Sequence, residues 1–239
     1  MSGSIVSSLT SLFMLSDEQA MWRVQQEDDA HAFARLVERW QRPIQNLCTR
    51  MLGDSHRAED LTQEAFARIY GRRKEYQCAG KFSTYLWRVA LNLCYDELRR
   101  LQRRKELSFD DPAHAFETSL EESAEEEQPA WILEMSERAA VVRRALLQLP
   151  EGQRVVLVLR HYEGLKFREI ADVLNIPEGT VKSRTADALN AMSRLLQRAG
   201  LNDVIPGRRA ASGRELPLDA AEKVFVSLPD QSKEAKVCL

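Results

Sequence analysis

The chain has 239 residues, of which 44% are hydrophobic and 29% charged, with a formal net charge of −2. That composition excludes collagen-like, mucin-like and wholly disordered proteins, and the length suits one large domain or two small ones. No stretch approaches the roughly 18 apolar residues that would cross a bilayer.

Charge and hydropathy divide the chain unevenly. Residues 1–21 hold no basic residue and read as an N-terminal extension; with Arg23 the first cation, a secretory leader is not expected. Residues 22–105 carry 17 basic and 11 acidic side chains and read as one helical module. Within it, Phe33, Leu36, Val37, Trp40, Ile44, Leu47, Cys48, Met51 and Leu52 recur at spacings of three and four, which predicts an amphipathic helix over Ala30–Leu52. Pro43 is expected to kink or split it, and Gly53 to end it. Asp54 or Ser55 can cap a second helix running to about Tyr70. A loop over Gly71–Gly80 and a third helix over about Ser83–Lys105 follow, and no segment alternates in the manner of a strand. Residues 106–130 read as an acidic linker, since the span 106–136 contains 10 acidic and no basic residues.

Residues 131–199, with 11 cations over 137–199 against 7 anions, form a second basic module of about four helices. These are expected over Trp131–Leu147, from Pro150 through the run Val155–Leu159, over Lys166–Leu174, and over Pro177–Gln197. Residues 200–239, broken by Gly and Pro, read as a flexible or regulatory C-terminal extension with helical promise only over Asp219–Leu228. The expected fold is therefore all-α: two small helical domains joined by an acidic flexible linker.

The stretch GLKFREIADVLNIPEGTVKSR, Gly164–Arg184, is the most informative. Two short helices are joined by a brief turn, and Ile170, Ala171, Leu174, Ile176 and Val181 stand where a helix-turn-helix places its small core. The second helix opens with Pro177, Glu178, Gly179 and Thr180 and exposes Lys182, Ser183 and Arg184 in its first turns, where such a helix meets base edges and phosphates. In the first module, five cations lie within Arg99–Lys105, a helix end suited to phosphate.

PEGTVKSR, preceded by EIADVLNI and LPEGQRVVLVLRHYEGL, resembles region 4 of bacterial extracytoplasmic-function (ECF) sigma factors. AEDLTQEAFARIY (Ala58–Tyr70) resembles region 2.2 of that family, and KFSTYLWRVALNLCYDELRRLQRR (Lys81–Arg104) its regions 2.3 and 2.4. The resemblance implies a cytoplasmic, non-catalytic partner of core RNA polymerase that docks on the β′ clamp helices and the β flap, reads promoter DNA, and answers to an anti-sigma factor. It implies that Asp60, Gln63, Glu64 and Phe66 dock on the clamp helices. It assigns the −10 element to Asn92, Asp96, Arg99, Arg100 and Arg103, with Tyr76, Lys81 and Phe82 forming the pocket for an unstacked base. It assigns the −35 element to Thr180, Lys182, Ser183 and Arg184. The chain departs from the family at Arg57, where Asp is common, in the order Tyr85–Leu86–Trp87, and at Asp187 and Leu189. Two alternatives are a helix-turn-helix regulator that binds DNA without polymerase, and a sigma-like interaction protein that does not initiate.

Neither an enzyme nor a cofactor is expected. His31, His56, His114 and His161 are scattered, no phosphate-binding glycine loop or GxSxG is present, and no metal set has ligand spacing. Cys48, Cys78, Cys94 and Cys238 form no CxxC pair; Cys48 and Cys94 fall on apolar helix faces and are expected in the core. Cys78 and Cys238 are expected to be accessible thiols without an activating neighbour.

Overall fold

The computed structural model describes residues 15–77, 80–107 and 130–201, with side chains for all of these except 105–107 and 130–136. The expected N-terminal stretch 1–14, the loop thiol Cys78, the linker body 108–129 and the tail beyond 201, with Asp219–Leu228 and Cys238, lie outside the described residues. The all-α expectation holds: the described residues form helices and turns, with no strand among them.

The first module contains α1 (Asp17–Glu27), α2 (Ala30–Leu52), α3 (Ser55–Gly71) and α4 (Phe82–Leu107), with a single 3₁₀ turn at Arg73–Glu75. Helix α1 runs through the expected boundary at residues 21 and 22. Its start is set by Ser16, whose hydroxyl accepts from the Gln19 amide while the Gln19 side chain accepts from the Ser16 amide. It buries Ala20, Met21 and Val24 against α2. Asp17 fixes the join by pairing with Arg39 and accepting from Trp40 Nε1 at 3.0 Å.

Helix α2 is continuous through Pro43, so Pro43 does not split it. Its inward face of Leu36, Ile44, Leu47, Cys48 and Met51 is almost fully buried, and this packing holds the helix across the missing amide donor. Gly53 ends it at φ 81°, and Asp54 accepts from the Arg57 amide to start α3. Helices α2, α3 and α4 pack around Leu61, Ala65, Ile69, Leu86, Ala90 and Cys94. Trp40 and Trp87 meet edge to face at 5.7 Å in the same core.

The second module contains α5 (Ala130–Gln148), α6 (Glu151–Leu157), a π turn over Val158–Tyr162, α7 (Phe167–Leu174) and α8 (Glu178–Arg198). Val155, Val156, Leu157, Val158 and Leu159 are all buried, which a continuous apolar run achieves only where helices cover every side. The modules pack on each other. Arg154 of α6 is buried and donates through Nη1 to the Met51 carbonyl of α2, and through Nη2 to the Leu147 and Leu149 carbonyls at 2.6 and 3.1 Å. Leu147 presses on Gly53, where any side chain would collide with it.

Candidate nucleic-acid interface

On α3, Asp60 and Gln63 are exposed and Glu64 is half-exposed, so three of the four expected docking residues share an accessible face. Glu64 pairs with Arg68 at 2.6 Å, and Gln63 reaches Glu59 at 3.5 Å. Phe66 turns the other way: it is buried and meets Phe33 edge-on at 6.4 Å, supporting the face from within. Arg57 pairs with Asp60 at 3.1 Å and with the buried Glu97 of α4 at 2.9 Å.

Asn92, Asp96, Arg99 and Arg103 lie along one exposed face of α4, because steps of four, three and four return to the same side of a helix. Asp96 pairs with Arg99 at 3.0 Å, and Arg100 pairs with Glu97 at 2.7 Å. Burial pushes the Glu97 carboxyl up, but hydrogen bonds from Arg57 and Arg100 outweigh it and hold the group below its ordinary value. Tyr76 and Phe82, expected at an open base pocket, are both buried. Their rings meet at 6.3 Å, with Tyr85 packed 5.2 Å from Tyr76. Helix α1 closes this corner: Gln25 donates to the Tyr76 carbonyl at 2.6 Å, and Glu18 accepts from the Phe82 amide at 3.2 Å. Lys81 is exposed at the corner's edge.

The helix-turn-helix has the expected geometry. Helix α7 ends at Asn175, which takes φ 53°, and α8 starts just after Pro177. Ile170 and Val181 are buried and Ala171, Leu174 and Ile176 half-buried, with Val173 and Thr185 completing the packed set. Lys182, Ser183 and Arg184 project outward on the first turns of α8, and Thr180 is half-buried behind them. Lys182 pairs with Glu178 at 2.7 Å, and the Ser183 hydroxyl donates to the Thr180 carbonyl at 3.1 Å.

Helix α4 faces the end of α7. Arg88 of α4 donates to the Asp172 and Val173 carbonyls at the end of α7, the longer bonds measuring 3.1 and 3.3 Å. Lys81 pairs with Glu169 at 2.7 Å; that hydrogen bond is the main cause holding Glu169 below and Lys81 above its ordinary value. Arg50 pairs with Glu163 at 3.1 Å and stacks over Tyr162. Between the modules lies a cleft of about 400 Å³ bordered by Arg88, Asn92, Tyr95, Asn175 and Arg184. Tyr95 is pushed up to about 12 by burial. Arg88, Glu97, Arg154 and Glu169 were not read from the sequence as site residues; only their partners in space distinguish them from ordinary helical charges.

The sigma-70 region 2 model matches residues 36–104, and the sigma-70 region 4 model matches residues 139–192. The chain is 34% identical over 173 residues to the ECF RNA polymerase sigma factor SigW of Bacillus subtilis, covering 71% of this chain and 91% of that protein. It is 33% identical over 187 residues to the ECF RNA polymerase sigma-E factor of Escherichia coli K12, covering 77% and 95%. Two solved structures share the fold: a sigma factor RpoE from Bartonella quintana in complex with the anti-sigma factor NepR, and CnrH in complex with the cytosolic domain of CnrY. The TM-scores are 0.55 and 0.54, at 19% and 22% identity, over 69% and 76% of this chain and 96% and 97% of those chains. The chain belongs to the sigma-70 family, as an alternative sigma factor of the extracytoplasmic-function type that directs transcription initiation.

Proposed function

We propose a division of this work among named side chains. Asp60, Gln63 and Glu64 on α3 dock on the β′ clamp helices of core polymerase, with Phe66 bracing them from the core. Asn92, Asp96, Arg99, Arg100 and Arg103 on α4 bind the −10 element, and Thr180, Lys182, Ser183 and Arg184 on α8 bind the −35 element. The observation that carries this reading is the emergence of an acidic face and a cation-rich face from adjacent helices of one module, with a helix-turn-helix in the other. An acidic face suits a basic partner helix, and clustered guanidinium groups suit phosphate.

Lys81, Tyr76 and Phe82 serve the captured base in this proposal. Opening of the corner closed by Gln25 and Glu18 precedes capture, because both rings are covered in this structure. Stacking on an unstacked base then offsets part of its unpairing cost. The module limits 22–105 and 131–199, a flap contact by the second module, a cytoplasmic site of action and an anti-sigma partner belong to the same proposal. The last is supported by the complexes in which the solved relatives were captured. Among the described residues no helix is long and apolar enough to cross a membrane.

Run-off transcription tests the proposal. Purified chain, bacterial core polymerase and fragmented DNA from its source are combined, and transcript starts are mapped. Starts that share two upstream elements at fixed spacing are expected; stable polymerase binding with no transcript from duplex or premelted DNA would refute the initiating role.

A further inference from the structure

A short chain of charges runs between the face proposed for polymerase and the face proposed for DNA. Asp60 Oδ2 lies 3.1 Å from Arg57 Nη1, Arg57 Nη2 lies 2.9 Å from Glu97 Oε2, and Glu97 Oε1 lies 2.7 Å from Arg100 Nη2. The two ends are open to water, with side-chain exposures of 64% for Asp60 and 46% for Arg100. The middle is less so: Arg57 is 30% exposed and Glu97 only 5%. Arg57 also keeps a buried Nε that donates to nothing, so its guanidinium has donor capacity in reserve.

We infer that Glu97 is a positioning residue that couples polymerase docking at Asp60 to release of Arg100 toward DNA. The inference rests on the docking and reading roles proposed above. Asp60 and Glu97 take different nitrogens of one guanidinium, so they share its positive charge rather than a donor. A cationic partner helix that pairs with Asp60 withdraws that carboxylate from Arg57, which then turns fully to Glu97. Glu97 is already neutralised on one side and holds Arg100 less strongly, leaving that guanidinium to a backbone phosphate. The exposed ends exchange partners readily, whereas the buried carboxylate cannot trade its partners for water. Reciprocity requires the converse: a phosphate that takes Arg100 favours the Glu97–Arg57 pair and frees Asp60 for its partner. Arg57, which departs from the family's common Asp, is the link.

The test measures the affinity of core polymerase for the full chain with and without a non-template −10 oligonucleotide taken from a mapped start. The ratio of the two affinities is the coupling factor. In wild type the factor exceeds one. In Glu97→Gln it falls by about two- to five-fold, as expected for one broken pair in a partly exposed network. Arg57→Met leaves both Asp60 and Glu97 in place and lowers the factor similarly. A purely structural role would alter melting temperature or overall affinity and leave the ratio unchanged.

A wild-type factor of one, or either folded variant keeping the wild-type factor, overturns the inference while leaving the docking proposal intact. Failure of core polymerase to bind the wild-type chain overturns the docking proposal itself. Should Glu97→Gln not fold, Arg57→Met decides the matter alone.

Discussion

Replacing Arg154 with Met probes the join between the modules. The native guanidinium is buried, its Nε has no partner, and burial lowers its pKa. Against that cost stand three carbonyls that accept from it, at Met51, Leu147 and Leu149. Each bond from a charged donor is worth about 1.5–3 kcal/mol, while burying the charge costs several kcal/mol. Met fills most of the stem volume but leaves all three carbonyls without this donor in a largely buried site. The expected net loss is about 2–4 kcal/mol, a fall in melting temperature of roughly 5–15 °C for a body of this size. Because Met51 belongs to the first module and Arg154 to the second, urea unfolding should also separate from one transition into two. Circular dichroism of far-ultraviolet and aromatic bands would follow both. Unchanged or raised stability with a single transition would refute the reasoning, as happens where a buried charge is a net burden.

Further outcomes follow from individual contacts. Changing both Arg99 and Arg100 to Ala should abolish specific run-off transcripts and reduce the salt dependence of promoter binding by about one unit of slope per lost phosphate contact. Glu97, Glu169 and Asp29 are held below their ordinary carboxylate values, so the folded state binds their protons more weakly than the unfolded state. Their stabilisation is complete above the unfolded value near ~4.3 for Glu and ~3.9 for Asp and is lost as pH falls through the depressed folded values. Thermal melts from pH 7 down to 3 should show that decline, and an invariant melting temperature over this range would contradict it. Cys48 and Cys94 are fully buried with sulfurs 3.5 Å apart, and the Cys48 contact and burial push the Cys94 thiol strongly up. Mass spectrometry should find both unmodified by a thiol reagent in native buffer and modified in denaturant.

The helices that carry long periodic faces were legible in the sequence because three- and four-residue spacing reports a buried stripe directly. Helix α2 and the helix-turn-helix core of Ile170 and Val181 are examples. Helix α1 was not legible: only Ala20, Met21 and Val24 turn inward, and the exposed Trp22 interrupts their stripe. At Pro43 local propensity counts the missing donor and not the packing that keeps the helix unsplit. At the candidate site, residue type identified the outward charges of α4 and α8. It could not tell that Tyr76 and Phe82 point into the core, since an aromatic near a basic run suits either place, whereas Phe66 falls on the apolar stripe of Ala58, Leu61, Ala65 and Ile69 and is buried with it. The Arg57–Glu97 and Arg154–Met51 contacts join residues 40 and 103 positions apart. No periodicity records such pairings.

The cleft shared by Asn92 and Arg184 has a consequence for how the protein searches a chromosome. At about 400 Å³ it has the capacity of a small-molecule pocket, far too little for a duplex. Lys81 is meanwhile occupied by Glu169, and Arg88 by the end of α7. Folded this way, the chain offers bulk DNA fewer free cations than its sequence contains, and non-specific affinity rises with each phosphate neutralised. A genome presents a vast excess of wrong sites, so every free cation on the surface adds to non-specific occupancy. The contacts that hold Lys81 and Arg88 therefore lower non-specific affinity only by the phosphates those two cations would otherwise neutralise, while Arg99, Arg103, Lys182 and Arg184 stay exposed.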